Sequence, residues 1–385
     1  MKVRWPILAL PALALLAAAR PAPACSLCGN ALKQAPTFRQ EAALPSARLI
    51  LYGTAQNPKL KSDGTGVTEL HVKAVLRDDP VLGKRTVLEL ARYLPVSDPK
   101  SPPQYVVFCD VSGDKVDPYR GVPVKGPAAA EYLKKALALG EKDPAGNLLF
   151  YFRYLDDSDP EVARDAFLEF AKSSDLHIAR AAPKLDPEKL RAWLKDEKTP
   201  PERLGVYALL LGACGKDADA ALFRSLLGSE EERYLNAYDG LLAGYIHLRP
   251  REGWALAFAT LRDGRKPLTA RLAVLRTLRY YQGAQPRESR ANVLKGMEAV
   301  LAQGELADLA VEDLRRWELW DLTREVLGLY GRKGYDGPLM RRALVRYALC
   351  CKPTRESLAF LARRRADEPE LVKEVEEGLK LEREN

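Results

Sequence analysis

From residue 48 to residue 124 apolar and polar positions alternate, the apolar ones rich in β-branched and aromatic types, with short clusters of turn residues between the runs. This pattern predicts strands over 48–55, 67–76, 85–94, 104–111 and 116–124. The breakers are Asn57-Pro58, the run Ser62-Asp63-Gly64-Thr65-Gly66, Asp78-Asp79-Pro80, Asp98-Pro99 and Ser112-Gly113-Asp114. Five strands are enough to close a small barrel, which removes the edges that an open sheet exposes.

Past Val122-Pro123-Val124-Lys125-Gly126-Pro127 the apolar spacing lengthens from two to between three and four, in segments bounded by Pro, Gly or Asp. Several segments open alike: Ser158-Asp159-Pro160-Glu161, Thr199-Pro200-Pro201-Glu202, Lys266-Pro267 and Asp336-Gly337-Pro338 each precede an amphipathic run. A proline in the first turn lacks only a donor that has no helical partner there. The intervals between these starts fit units of about 35–40 residues, each one helix pair stacked on the next. The expected organisation is a β-rich region over 25–125 and an all-α region over 126–385, closed by a charged amphipathic helix over 368–381.

The first residues follow neither pattern. Met1-Lys2-Val3-Arg4 is basic, the apolar run from Trp5 to Ala19 contains Pro6 and Pro11, and Ala22-Pro23-Ala24 offers a small-x-small site. These are the parts of a secretory signal peptide over 1–24. The run is shorter than the ~20 residues that cross a bilayer, and its prolines remove helix hydrogen bonds. The chain is therefore expected to be exported, to a periplasm or outside the cell. Cleavage after Ala24 makes Cys25 the first mature residue; the alternative is a lipid anchor on that cysteine, although such signals normally carry Leu where Ala22 stands. Membrane contact is expected only in that case.

Removal of Lys2, Arg4 and Arg20 takes three charges from the formal net +8. The remaining charges interleave in sign, as in Glu312-Asp313-Leu314-Arg315-Arg316-Trp317-Glu318, and even Arg363-Arg364-Arg365 is followed at once by Asp367, Glu368 and Glu370. Interleaving of this kind marks solvated helix faces and not a stripe that tracks phosphates. A protein is the expected partner, not nucleic acid.

Two resemblances sharpen the architecture. Cys25 and Cys28, an irregular lead, then Leu49-Ile50-Leu51-Tyr52-Gly53-Thr54, Leu70-His71-Val72-Lys73-Ala74-Val75-Leu76 and Tyr105-Val106-Val107-Phe108-Cys109 resemble the netrin-like domain of tissue inhibitors of metalloproteinases over residues 25–124. That resemblance implies a five-stranded OB-like β-barrel with lead cysteines bridged into it, and an N-terminal cysteine whose amine and carbonyl reach the zinc of a target protease. The chain departs from the family in having two residues between Cys25 and Cys28 where the family has one, and Cys109 as its single barrel cysteine. The fold is carried over and the inhibitory activity is not, because function belongs to sites.

The unit Asp159-Pro160-Glu161-Val162-Ala163-Arg164-Asp165-Ala166 resembles the HEAT consensus, with Arg164 and Ala166 where that family packs helix on helix. Signal peptide, Cys-x-x-Cys, β domain and an array containing Leu155-Asp156-Asp157-Ser158-Asp159-Pro160 are together similar to exported bacterial HEAT-repeat-like proteins without an assigned activity. The resulting expectation is an α+β chain: an OB-like β-barrel followed by a HEAT-like α-helical solenoid.

Cys25 and Cys28 are the sharpest chemical candidates, since thiols at this spacing are redox-active or ligate metals in a suitable setting. Covalent haem needs His where Gly29 stands, no second Cys-x-x-Cys completes a zinc site, and His71, His177 and His247 are scattered. A bridge from Cys25 or Cys28 to Cys109, a bridge between Cys25 and Cys28, and a functional thiol all stay open, disulfides being favoured in exported chains. Cys214, Cys350 and Cys351 have apolar neighbours and read as core. No nucleophile elbow or phosphate-binding glycine loop occurs, and no catalytic residue, cofactor or metal is assigned.

Trp317 and Trp320, three apart and so expected on one helix face, either seal a core between repeats or form an exposed interaction surface with Arg315 and Arg316. Together these features predict a non-catalytic interaction or scaffold protein of the bacterial cell envelope, binding through its helices. The alternative is a netrin-like inhibitor or ligand-binding module on the barrel. An enzymatic reading requires a composite pocket near Tyr119, Arg120 and Tyr151.

Overall fold

The computed structural model describes residues 25–27, 34–62 and 64–384. Residues 1–24, over which a signal peptide is expected, and Cys28 lie outside the described residues. Strands form where the alternation places them: β1 (Leu49–Leu60), β2 (Gly66–Arg77), β3 (Val87–Leu90), β4 (Gln104–Ser112) and β5 (Lys115–Val124). All neighbours are antiparallel, in the order β3-β2-β1-β4-β5. Asn57-Pro58 does not end β1. A register shift between Gln56 and Lys59 absorbs the proline, while Asn57 takes a φ of 49° and its amide donates to Glu69 at 2.7 Å.

The sheet is open, not a closed barrel. β3 has four residues, pairs only with Thr68 to His71 of β2, and forms one edge; β5 forms the other. Burial on both faces explains why closure is not needed. On β4, Val106 and Phe108 point into the large core shared with the helices, whereas Val107, Cys109 and Val111 point into a second core with Leu49, Leu51, Leu70, Leu82, Leu88 and Leu90. A small barrel has one interior; this sheet has an apolar layer on each side.

Helices account for the rest. A short α1 (Phe38–Ala42), with the capping box of Thr37 and Gln40, belongs to the lead before the sheet. After the sheet come α2 (Pro127–Leu137), α3 (Pro144–Phe152), α4 (Pro160–Lys172), α5 (Asp175–Ala181), α6 (Pro187–Lys195), α7 (Pro201–Cys214), α8 (Ala220–Leu227) and α9 (Glu232–Asn236). Then follow α10 (Tyr238–Leu248), α11 (Pro250–Arg262), α12 (Leu268–Ala284), α13 (Arg290–Leu301) and α14 (Ala307–Arg316). The last four are α15 (Thr323–Leu327), α16 (Pro338–Cys350), α17 (Arg355–Asp367) and α18 (Pro369–Glu384). Pro160, Pro201 and Pro338 are first residues as the sequence implies, and Pro267 stands one residue outside α12.

Polar contacts between helices set their directions. Thr277 Oγ1 donates to the Asp239 carbonyl and Tyr281 OH to that of Ala243, so the partners advance together and α12 runs parallel to α10. Arg271–Glu305 and Arg279–Asp313 join α12 to α14 in the same sense. Arg346–Glu312 joins α16 to α14, and Arg342–Glu374 joins α16 to α18. One row of helices therefore lies side by side. The row is not purely sequential: α5 also packs on α12, where Gly283 leaves room for Asp175.

The change of pattern near residue 126 is a change of element type, not the end of a core. Ile50, Phe108 and Val122 of the sheet belong to the same apolar cluster as Tyr132, Leu209 and Tyr347. Phe38 joins the two regions, its ring 6.3 Å from that of Phe108 and 6.4 Å from that of Tyr132. Asp159 does the same with polar bonds, capping α4 through Glu161 N and accepting from the Lys125 nitrogen at 2.6 Å.

Candidate functional site

The lead, α2, α3 and α4 converge on an interior that holds charged side chains. Asp165 and Glu169 are four residues apart on α4 and so share a face. Asp165 is buried; one carboxylate oxygen accepts from the Phe38 nitrogen at 2.6 Å and the other from Tyr132 OH at 2.7 Å. Burial pushes its carboxyl up to about 7, against the pull of those two donors. Burial also raises Glu169, whose Oε1 has no hydrogen-bond partner.

Beside them is a cleft of about 160 Å³ lined by Arg39, Glu141, Asn147, Tyr151, Glu169 and Ser173. Arg39 donates to the Leu139 carbonyl at 3.3 Å and approaches Tyr151 OH at 3.5 Å. Both tyrosine hydroxyls are pushed far up by burial. Chemically this is a bracket: Asp165 has a donor on each oxygen, so it orders the lead against α2 instead of facing a reactant. Glu169, unlike Asp165, lines the cleft, together with Glu141 and Arg39. Arg120 lies near but is paired with Glu41 and sits over the Phe108 ring, 5.8 Å from its centre.

A second polar contact anchors the start of the lead. The Ser26 nitrogen donates to Asp175 Oδ1 at 2.8 Å and the Ser26 hydroxyl to Oδ2. Cys25 is 0% exposed and belongs to the large core.

Cys109 lies in the other core, across the sheet from Cys25, and its thiol is free. The cause is strand alternation, which turns Cys109 away from the face that the lead covers. Burial pushes the Cys109 thiol up to about 12, which makes it unreactive. Cys214 follows the same rule, raised to about 11. His247 is half-buried beside Tyr280, and its desolvation lowers it to about 4; His71 pairs with Glu69 at 3.2 Å. Among the described residues no cluster of His, Cys, Asp and Glu is arranged to hold a metal ion.

Trp317 and Trp320 do not share a helix face. α14 stops at Arg316, and Glu318 takes a φ of 56°. The Leu319 nitrogen then reaches back to the Leu314 carbonyl and that of Glu318 to the Arg315 carbonyl, a Schellman stop with glutamate in the position usual for glycine. Both tryptophans are half-buried against the core, Trp320 edge-on to Tyr347 at 5.1 Å. Arg315 is enclosed between Glu312 and Glu382 at 2.9 Å each, leaving Arg316 as the exposed member of the group.

Sequence reasoning missed Asp165, Glu169 and Asp175. In the HEAT-like unit Ala166 is buried as expected, but Arg164 is exposed and its neighbour Asp165 is the enclosed charge. The available signal was Asp165 set among Val162, Ala166, Phe167 and Phe170, at positions that share the buried side of α4.

Comparison with protein-family models, with curated proteins and with solved structures finds no match.

Proposed function

We propose that the chain is an exported, non-catalytic interaction protein of the bacterial cell envelope, in which the stacked helices act as a HEAT-like solenoid and present an apolar edge to a protein partner. One observation carries this reading. Leu235 just before α10, Leu268 opening α12, Leu309 in the first turn of α14 and Leu339 in that of α16 are exposed by 54%, 43%, 36% and 70%. Leu268, Leu309 and Leu339 stand at the same end of parallel neighbours, and Leu235, on α9, precedes the matching end of α10 by three residues. With axes ~8–10 Å apart, they make a broken apolar strip roughly 30 Å long. Single exposed leucines are ordinary; a row at one edge is the kind of feature that marks an interface.

Two facts favour the array over the sheet as the carrier of contact. The netrin-like alternative needs the Cys25 amine presented to solvent, and Cys25 is buried. The most enclosed carboxylate beside the cleft is committed to structure, since both Asp165 oxygens are occupied by structural donors, which leaves Glu169 and Glu141 as the acidic groups of the lining.

The test is site-specific photo-crosslinking from position 339 in intact envelopes, repeated after Leu268→Glu and Leu309→Glu. The expected result is a discrete adduct that the two charged substitutions abolish while the melting temperature stays unchanged. Equal adduct yield in the substituted protein would refute the edge as the contact surface.

A further inference from the structure

The residue that the signal peptide pattern makes first in the mature chain is among the most enclosed in the protein. Cys25 is 0% exposed, and its neighbour Ser26 uses both its nitrogen and its hydroxyl on Asp175. Asp175 is itself buried, on α5, and it fits against α12 only because residue 283 is glycine: a Cβ there would stand 2.8 Å from Asp175 Oδ2. The start of the lead is thus built into the joint between α5 and α12.

Adjacent backbone nitrogens are no more than ~3.7 Å apart. The Cys25 nitrogen therefore lies within about 6.5 Å of a carboxylate whose Oδ1 is 2.8 Å from the Ser26 nitrogen, close enough for opposite charges in a partly desolvated setting to attract each other. In an unprocessed chain that nitrogen is a neutral amide. Hydrolysis of the Ala24–Cys25 peptide bond by an envelope signal peptidase adds one water. The carboxylate leaves with Ala24, and Cys25 keeps an amine that takes up a proton near neutral pH, where α-amino groups titrate at about 7.7–8.0.

We propose that cleavage before Cys25 places the new α-ammonium against Asp175, so that processing itself locks the lead into the helical array, and that Cys25 is not a lipid attachment site. The second half follows from the first: a diacylglyceryl thioether would have to carry the sulfur out of the core into a bilayer and pull Ser26 off Asp175. This inference rests on the signal peptide reading above, and deepens it by assigning the new terminus a structural role.

The experiment uses the full chain produced in a bacterial host, with the processed form taken from the envelope and the unprocessed form from cells in which export is blocked. Intact mass of the exported protein is expected to match a start at Cys25 with no acyl group. The processed form should melt ~3–5 °C higher than the unprocessed form, and Asp175→Asn should reduce that difference to about 1 °C or less. Should Asp175→Asn fail to fold, the α-amine of the native processed form is titrated by its reactivity toward an acylating reagent. Slower labelling at neutral pH than a free peptide with the same first residues supports the ion pair, and equal labelling overturns it. A lipid on Cys25, or an unchanged melting difference in Asp175→Asn, also overturns the proposal. A retained leader would sink the export reading alone, because a fusion cut in vitro before Cys25 supplies the same amine without export.

Discussion

Gly240 on α10 meets Gly205 on α7 backbone to backbone: a Cβ on Gly240 would stand 1.9 Å from the Gly205 carbonyl oxygen. One turn on, Gly244 faces the Ala208 carbonyl, where a Cβ would stand at 2.4 Å, and Gly212 packs on Gly244 itself. Small residues at this spacing let the two helices approach more closely than side chains allow.

Because the obstacle is main chain, neither helix can yield by turning a rotamer. Gly240→Ala is expected to destabilise the protein by about 3 kcal/mol, at the upper end of overpacking effects, read as a drop in urea midpoint with unchanged slope. Gly264→Ala, which adds a methyl where no heavy atom lies within 4 Å, should change stability by less than ~0.5 kcal/mol. Equal effects of the two substitutions would refute the close approach.

Asp165 gives the stability a pH dependence of unusual sign. Its carboxyl is pushed up to about 7 in the folded protein, while in the unfolded chain it titrates near 3.8. Between those values the folded state holds the proton and the unfolded state does not. The contribution is therefore full below about pH 4 and is lost as pH rises through about 7. Unfolding free energy measured from pH 4 to pH 7.5 should fall less steeply in Asp165→Asn than in the unmodified protein. Asp165→Ala, which strands the Phe38 N–H and the Tyr132 hydroxyl, should cost ~2–4 kcal/mol at every pH in that range.

His247 works in the opposite direction. Burial lowers it from 6.5 to about 4, so the unfolded chain takes up a proton in that interval and the folded one does not. Stability tied to this group is present above about pH 6.5 and is lost as pH falls toward 4. His247→Phe should flatten the acid limb of a stability profile, and an unaltered limb would place the ring in solvent.

Glu318 occupies a left-handed conformation in which its Cβ is crowded. Glu318→Gly is expected to raise stability by up to ~1 kcal/mol, since the Schellman stop after α14 then carries no steric cost. Thermal unfolding is the check, and a lowered midpoint would mean that the glutamate side chain holds the turn in some other way.

All five strands and the helix starts at Pro160, Pro201 and Pro338 could be read from the chain, for local reasons. Alternation at Tyr105 to Val111 marks β4 because side chains on a strand must point to opposite faces, and Asp159-Pro160 marks α4 because a cap and a donorless residue suit a first turn. Ion pairs such as Arg279–Asp313 join helices through residues 34 apart in the chain, near the length expected of one helix pair.

What local pattern cannot hold is which side of an element meets which neighbour. Cys25 and Cys109 were plausible partners in sequence, yet the sheet stands between them. Arg164 and Asp165 are adjacent and equally charged in magnitude; only the arrival of Phe38 and Tyr132 from distant segments makes Asp165 the one that can be buried with its hydrogen bonds met. The chain alone determined its strands and the helix starts at Pro160, Pro201 and Pro338, because those depend on dihedral preference and periodicity within a few residues. The open sheet, the enclosed Cys25 and the bracket at Asp165 were decided by tertiary packing, because desolvating a charge or a thiol is favourable only where remote groups supply the bonds and the apolar cover.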